Sequence, residues 1–170
     1  MGKVYLIGVG PGDEELLTLK AIRAIKEADV ILYDKLINVN ILNYSKEDAK
    51  LIFCGKEAGK HYKTQEEIND LIVMNAKKGK IVARLKGGDP YVFGRGGEEA
   101  IRLYNEGIEF EVISGVTSAI AALNYAGIPA TFRGVSQSIT ILTAKSEGEL
   151  KIDYEALSKL NGTLVFDGTV

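Results

Sequence analysis

The chain has 170 residues, with 21 Lys and Arg against 23 Asp and Glu and a formal net charge of −2. That balance excludes a global basic field for nucleic acid and a disordered acidic tail, so any cationic ligand site has to be local. A single cysteine, Cys54, excludes an internal disulfide or a cysteine-built metal centre and suits a reducing cytoplasm.

No apolar run reaches the ~18 residues of a membrane span. The first residues run directly into strand-like sequence, so neither a signal peptide nor a membrane is expected. No His, Asp or Glu group has metal-ligand spacing, and no metal is expected. Glycine is abundant, 19 residues, and five of them fall between positions 87 and 97.

Residues 3–8 read as a buried strand ending in glycines. Asp13, Glu14 and Glu15 follow, then Leu17, Ala21, Ile25 and Ala28 at helical spacing; acids in a first turn suit the helix dipole. Residues 29–33 and 51–53 read as strands. Thr64 with Glu67 forms a capping box for a helix to about Lys78, whose apolar face is Ile68, Leu71, Ile72 and Ala76. Gly79 ends it. Residues 80–85 are strand, 98–105 helix, 110–113 strand and 117–126 helix. Then come strand 138–143, helix 153–160 and strand 163–166.

The alternation predicts an α/β fold with a mostly parallel sheet. The expected division is a complete N-terminal α/β domain, residues 1–114, and the start of a second α/β domain, residues 115–170. Two strands and a helix fold poorly alone, so the second part is expected to be an incomplete domain with exposed apolar surface.

Ligands in such sheets sit beyond the carboxyl ends of the strands, and the unusual residues cluster there. Gly8-Val9-Gly10-Pro11-Gly12-Asp13 resembles a dinucleotide fingerprint, but Asp13 stands where a third glycine belongs. Three acids would repel a pyrophosphate, and Pro11 removes a backbone donor. A phosphate cradle is therefore rejected; a tight neutral turn near a ligand and a plain strand-to-helix turn both remain open.

The block from Arg84 to Glu99, RLKGGDPYVFGRGGEE, is the most informative. Its glycines allow close backbone approach or positive φ, and Arg95 and Glu98 share a helix face. Ser114-Gly115-Val116-Thr117-Ser118 puts hydroxyls at a helix start, where capping alone also explains them. Arg133 follows a proline turn and suits either an anionic ligand or solvent. His61, the sole histidine, reads as a solvated loop residue, and Cys54 as a small residue at the core edge.

Taken together, these motifs, with YDKL at 33–36, GK at 55–56 and GIPATFRG at 127–134, resemble the tetrapyrrole methylases over essentially the whole chain. The continuation FGRGGEE resembles the branch that methylates uroporphyrinogen III. The resemblance implies S-adenosylmethionine as cofactor, with S-adenosylhomocysteine as product, and methyl transfer to ring carbons 2 and 7 of uroporphyrinogen III on the way to siroheme and cobalamin. It also implies a cytoplasmic homodimer. It places Pro11, Gly87, Gly88, Asp89, Val92, Thr117 and Ser118 at the cofactor. Asp34, Lys56, Glu98 and Arg95 match catalytic positions, and Lys35, Arg95 and Arg133 match substrate-binding ones.

The chemistry is compatible. The cofactor is a sulfonium cation, so acids in the first loop are no obstacle. The methyl donor is already activated, leaving alignment as the main task. The methylated ring must then lose a proton, for which Glu98 and Asp34 both stand as candidate bases. Local cations answer the substrate's carboxylates.

The sequence also departs from the family pattern. Phe132 replaces a histidine, and Lys35 stands where arginine is common. Thr143-Ala144-Lys145 replaces Thr-Gly-His. Residues 166–170 lack a methionine that touches the cofactor. A methylase of a later precorrin and a non-catalytic piece of the cleft are the alternative readings.

Overall fold

The computed structural model describes residues 1–55, 63–143 and 152–168. It is α/β, and the chain divides into two compact units, Met1–Thr117 and Ser118–Val170.

The first unit contains strands β1 (Lys3–Gly8), β2 (Val30–Tyr33), β3 (Lys50–Phe53), β4 (Val82–Lys86) and β5 (Glu109–Ile113). All pairings are parallel, in the order β3-β2-β4-β1-β5. Helices α1 (Leu19–Glu27), α2 (Gln65–Lys77) and α3 (Gly96–Asn105) cover the two faces. Ile7, Ile31, Ala83 and Leu85 meet α1 residues Ala21, Ala24 and Ile25 on one face. Val4, Leu6, Leu32 and Val82 meet Ile68 and Ile72 of α2 and Ala100 and Leu103 of α3 on the other.

This split follows from right-handed crossovers. The connection after β1 runs across the sheet in one direction, and that after β4 runs in the other. Their helices must therefore lie on opposite faces, and the chain reverses between adjacent strands β4 and β1. A crevice at such a reversal is where open parallel sheets bind ligands.

Local signals account for the helix ends. The capping box is present: Glu67 N–H donates to Thr64 Oγ1 at 3.2 Å and Thr64 N–H to Glu67 Oε2 at 2.7 Å. The acids after β1 do not open α1, contrary to the sequence reading. Asp13 instead caps a short 3-10 turn, Glu14–Leu16. Leu17 is extended and nearly buried, and Thr18 caps α1 through Ala21 N–H. Burying Leu17 takes the backbone out of the helix, so the acids and α1 form separate elements. A second 3-10 stretch, Val39–Tyr44, had no sequence counterpart; it seats Ile41 in the α1-side core. Strand β4 starts at Val82 and includes Lys86, and α3 begins at Gly96, both displaced by two residues or fewer from expectation.

Asp29 fastens the amino ends of three strands. Its Oδ2 accepts from Ile81 N–H at 2.8 Å and its Oδ1 from Lys46 Nζ at 2.7 Å. Its backbone bonds Ile81 and Lys50. The Lys46 ammonium, with the Ile81 N–H, holds the carboxyl below its usual value of 3.8. Its stabilisation is therefore complete above that value and fades as pH falls through the lowered one. Asp29→Asn should cost roughly 1.5–3 kcal/mol at pH 7 and flatten the acid limb of a urea stability–pH curve. An unchanged acid limb would show that Asp29 is not a clamp.

The second unit holds α4 (Ser118–Tyr125), β6 (Ile139–Thr143), α5 (Tyr154–Ser158) and β7 (Thr163–Asp167). Strands β6 and β7 pair in parallel from Ile139↔Thr163 to Thr143↔Asp167. Tyr154 stacks on Phe166 with ring centres 6.4 Å apart. Phe132, Val135 and Ile128 are exposed. Among the described residues, no helix is long and apolar enough to cross a membrane.

Candidate active site

Three loops meet at the carboxyl ends of β1, β4 and β5. Gly10 and Gly88 exchange backbone hydrogen bonds of 3.2 and 2.8 Å as an isolated antiparallel bridge. Asp89 Oδ1 accepts from Tyr91 N–H at 2.9 Å and Oδ2 from Gly115 N–H at 3.1 Å. Asp89 therefore ties the β4 loop to the β5 loop. Asn38 Nδ2 holds the β1 loop at Gly12 O, 2.9 Å away. Pro11, Gly87, Gly88 and Asp89, expected at a cofactor, thus lie together, and Thr117 ends the same unit.

The loop after Asp89 turns tightly around Pro90, whose carbonyl accepts Gly96 N–H at 3.0 Å. A Cβ on Gly96 would come within 2.9 Å of the Pro90 carbonyl carbon, so only glycine fits. Phe93 (φ 51°) and Arg95 (φ 58°) are both left-handed, a costly backbone for side chains of this size. Arg95 sits at the start of α3 and grips Glu98 with two bonds of 2.8 Å. Pairing with Arg95 holds the Glu98 carboxyl below its ordinary range, which makes it a weak base. Both side chains are more than half exposed. Tyr91, Phe93 and Gly97 line the same open hollow as Arg95 and Glu98, and Val92 lies in this loop, half-buried.

Asp34 follows β2. Its Oδ1 accepts Leu36 N–H at 3.0 Å, and its Oδ2 lies 3.4 Å from Arg84 Nη2. Lys35 is exposed, and its backbone approaches Gly55 at the end of β3. Lys56 and His61 lie outside the described residues. Cys54 is buried in the core rather than at its edge, and burial pushes its thiol up. Ser118 and Arg133 belong to the second unit. There Ser118 Oγ donates to Asp167 at 3.0 Å. Arg133 is exposed in the turn closed by Phe132 and Ser136.

The sequence reading assigned no role to a buried charge cluster. Glu99, in the first turn of α3, is fully buried. Its Oε1 accepts from Arg84 Nε at 3.1 Å, Lys86 Nζ at 3.2 Å and Gln65 Nε2 at 3.0 Å. Its Oε2 lies 3.2 Å from Lys86 Nζ and takes no hydrogen bond. Arg84 and Lys86 are two apart on β4 and so share the face of Val82. Burial pushes the Lys86 ammonium down, with Arg84 adding to the effect; Arg84 is driven up because Glu99 and Asp34 outweigh its burial. Two charges on one face of a central strand were the available signal, since they require buried partners.

The loops 8–13, 87–89 and 114–117 carry Asp13 and Asp89 and no lysine or arginine. Such acceptors suit a cationic or neutral ligand and not a phosphate. The fold and site define an α/β domain whose glycine loops, beside an arginine–glutamate pair, have the chemistry for a small phosphate-free ligand.

Comparison with known proteins narrows this class. The profile of the Tetrapyrrole (Corrin/Porphyrin) Methylases matches residues 3–168, and the chain belongs to that family. The uroporphyrinogen-III C-methyltransferase of Methanocaldococcus jannaschii is 55% identical over 164 residues, 96% of this chain and 68% of that protein. A Thermus thermophilus uroporphyrin-III C-methyltransferase solved with S-adenosylhomocysteine superposes with a TM-score of 0.76. It is 40% identical over 94% of this chain and 63% of its own. A cobalt precorrin-4 methyltransferase gives a TM-score of 0.75 at 32% identity, over 88% of this chain and 60% of its own. The chain thus spans about two thirds of the length of these relatives.

Proposed function

We propose that this chain acts in the S-adenosylmethionine-dependent C-methylation of uroporphyrinogen III, at ring carbons 2 and 7, to give precorrin-2. What carries the reading is a 40% identity to a protein solved with S-adenosylhomocysteine, over 94% of the chain. The 55% identity to a uroporphyrinogen-III enzyme, against 32% to a precorrin-4 enzyme, favours the earlier substrate.

The residues present fit the cofactor. Gly87, Gly88 and Asp89, with Pro11, Val92, Thr117 and Ser118, are the proposed contacts, and the acidic, lysine-free loops suit its positive charge. When bound, the cofactor supplies an activated methyl group. Arg95, with Lys35, Lys56 and Arg133, pairs with substrate carboxylates and orients the macrocycle. Asp34 is the preferred base for the ring proton, because Arg95 occupies both oxygens of Glu98 at 2.8 Å, whereas Arg84 touches one oxygen of Asp34 at 3.4 Å. The same reading carries a cytoplasmic homodimer; the exposed Ile128, Phe132 and Val135 are consistent with a covering partner.

Incubating the chain anaerobically with uroporphyrinogen III and S-adenosylmethionine should give mono- and dimethylated product by mass spectrometry. Methylation of a later precorrin alone would overturn the substrate. Tight S-adenosylhomocysteine binding with no turnover would favour a binding role. Arg95→Ala is expected to raise substrate KM roughly 10- to 100-fold, the worth of a charge-assisted pair. Calorimetric S-adenosylhomocysteine affinity should stay within about twofold. Equal losses in a folded variant would remove Arg95 from substrate binding.

A further inference from the structure

We propose that Arg84 is a positioning residue: anchored on the buried Glu99, it fixes the Asp34 carboxylate in the orientation used for proton removal. The proposal rests on the methyltransferase reading.

Arg84 sits on the middle strand of the sheet with its side chain 4% exposed. Its three nitrogens each serve a different partner. Nε donates to Glu99 Oε1 at 3.1 Å, Nη1 to Leu85 O at 2.9 Å and Nη2 to Asp34 Oδ2 at 3.4 Å. The partners lie on α3, on β4 itself and in the turn after β2. The side chains run from fully buried Glu99, through Arg84, to Asp34 at 25% exposure. One rigid fork therefore spans the distance from the core to the wet edge of the site.

Stability alone is a poor account of this arrangement. An ion pair taken out of water rarely outperforms apolar residues of the same volume, and Val82 already fills the same face two residues earlier. The charges in the cluster also balance only when Asp34 is included: Arg84 and Lys86 against Glu99 and Asp34. Asp34 is thereby counted into the buried network although it reaches solvent.

The effect on Asp34 is geometric. Leu36 N–H holds one oxygen and Arg84 the other, so the carboxylate plane is set at two points before any substrate arrives. A base fixed this way spends no further ordering when the ring proton must leave. A lysine at position 84 keeps the charge but has no planar fork to reach both acids.

The full chain, without ligand, provides the first test. In ¹⁵N NMR the Arg84 Nη–H signals should be resolved, as for a guanidinium whose rotation is blocked on both sides. In Asp34→Asn, which removes only a part-exposed member of the cluster and should keep a native circular dichroism spectrum, one Nη pair should broaden. Signals identical in the two proteins would overturn the proposal. In turnover, Arg84→Lys should lower kcat roughly 10- to 100-fold with both KM values within about twofold. Arg84→Lys combined with Asp34→Asn should be no slower than Asp34→Asn alone. Additive losses would also overturn it. A wild-type chain that leaves uroporphyrinogen III unmethylated would sink the functional reading, and the NMR arm would still decide the contact.

Discussion

Glu99→Gln is expected to cost the fold about 3–5 kcal/mol, the penalty of stranding buried charge. Glutamine nearly matches glutamate in shape, so the change isolates charge from packing. Three donors converge on Glu99 Oε1, and two of them, Arg84 and Lys86, are cations at 4% and 5% exposure. Removing the carboxylate leaves only the part-exposed Asp34 against both. For a domain stable by ~5–15 kcal/mol this is a large share of the total.

The deficit should also depend on pH, and its sign is fixed. Burial already pushes the Lys86 ammonium below its ordinary value. Losing Glu99 lowers it further. Between the variant's value and the wild type's, folded wild type keeps the Lys86 proton and the folded variant does not, so the variant alone gains stability as pH rises and the gap narrows. Urea melts followed by circular dichroism should find the gap between variant and wild type smaller at pH 9 than at pH 7. A loss below about 1 kcal/mol, or one independent of pH, would mean the cluster is not a buried ion network.

This cluster also marks the limit of what the sequence discloses. Strand and helix order was legible because apolar period and turn residues dominate it. The capping box at Thr64 and Glu67 and the pair at Arg95 and Glu98 were legible because each is local: both partners lie within one helical turn. Arg84 and Glu99 are 15 residues apart, and Arg84 and Asp34 are 50 apart. Their meeting depends on β4 lying next to β2 under α3, which no local pattern encodes. Asp29 escaped notice for the same reason, with Ile81 52 residues away.

The first helix went astray through a different physical cause. Acids after a strand are a helix-start signal, but burial of Leu17 overrides it and moves the start to Thr18. The site residues group by the same logic. Pro11, Asp34, Gly87 and Asp89 all follow the carboxyl ends of strands, so parallel pairing brings them to one end of the sheet. Residue type singled them out as candidates; what each one grips had to come from the fold.

Asp89 illustrates the difference. Expected as a cofactor contact, it spends both oxygens on backbone N–H groups and fastens two loops together. A proposed contact and a structural latch are compatible, since a carboxylate oxygen has two lone pairs. The latch nevertheless explains why an acid, and not an amide, stands before Pro90: an ionised acid accepts at both oxygens, and an amide accepts at one.

The convergence of those loops leads to the other large expected effect, at Gly8. Gly8→Ala should disable S-adenosylhomocysteine binding more severely than it destabilises the fold. A Cβ at Gly8 would stand 2.5 Å from Gly115 N and 2.7 Å from Gly88 O. Both neighbours are backbone, so neither can swing aside as a side chain would. The added methyl must separate the β1, β4 and β5 loops, stretching the 3.1 Å bond from Gly115 N–H to Asp89 and the Gly10–Gly88 bridge. Overpacking of this kind costs typically ~1–3 kcal/mol, which lowers the urea midpoint but leaves a folded protein. Loop geometry is lost in the same displacement, and losing one or two ligand hydrogen bonds of about 0.5–1.5 kcal/mol each lowers affinity on the order of tenfold. Calorimetry should therefore find cofactor-product affinity reduced at least tenfold in a variant whose circular dichroism spectrum is native. A folded Gly8→Ala chain that binds S-adenosylhomocysteine as the wild type does would place the cofactor away from these loops, and with it Gly87, Gly88 and Asp89.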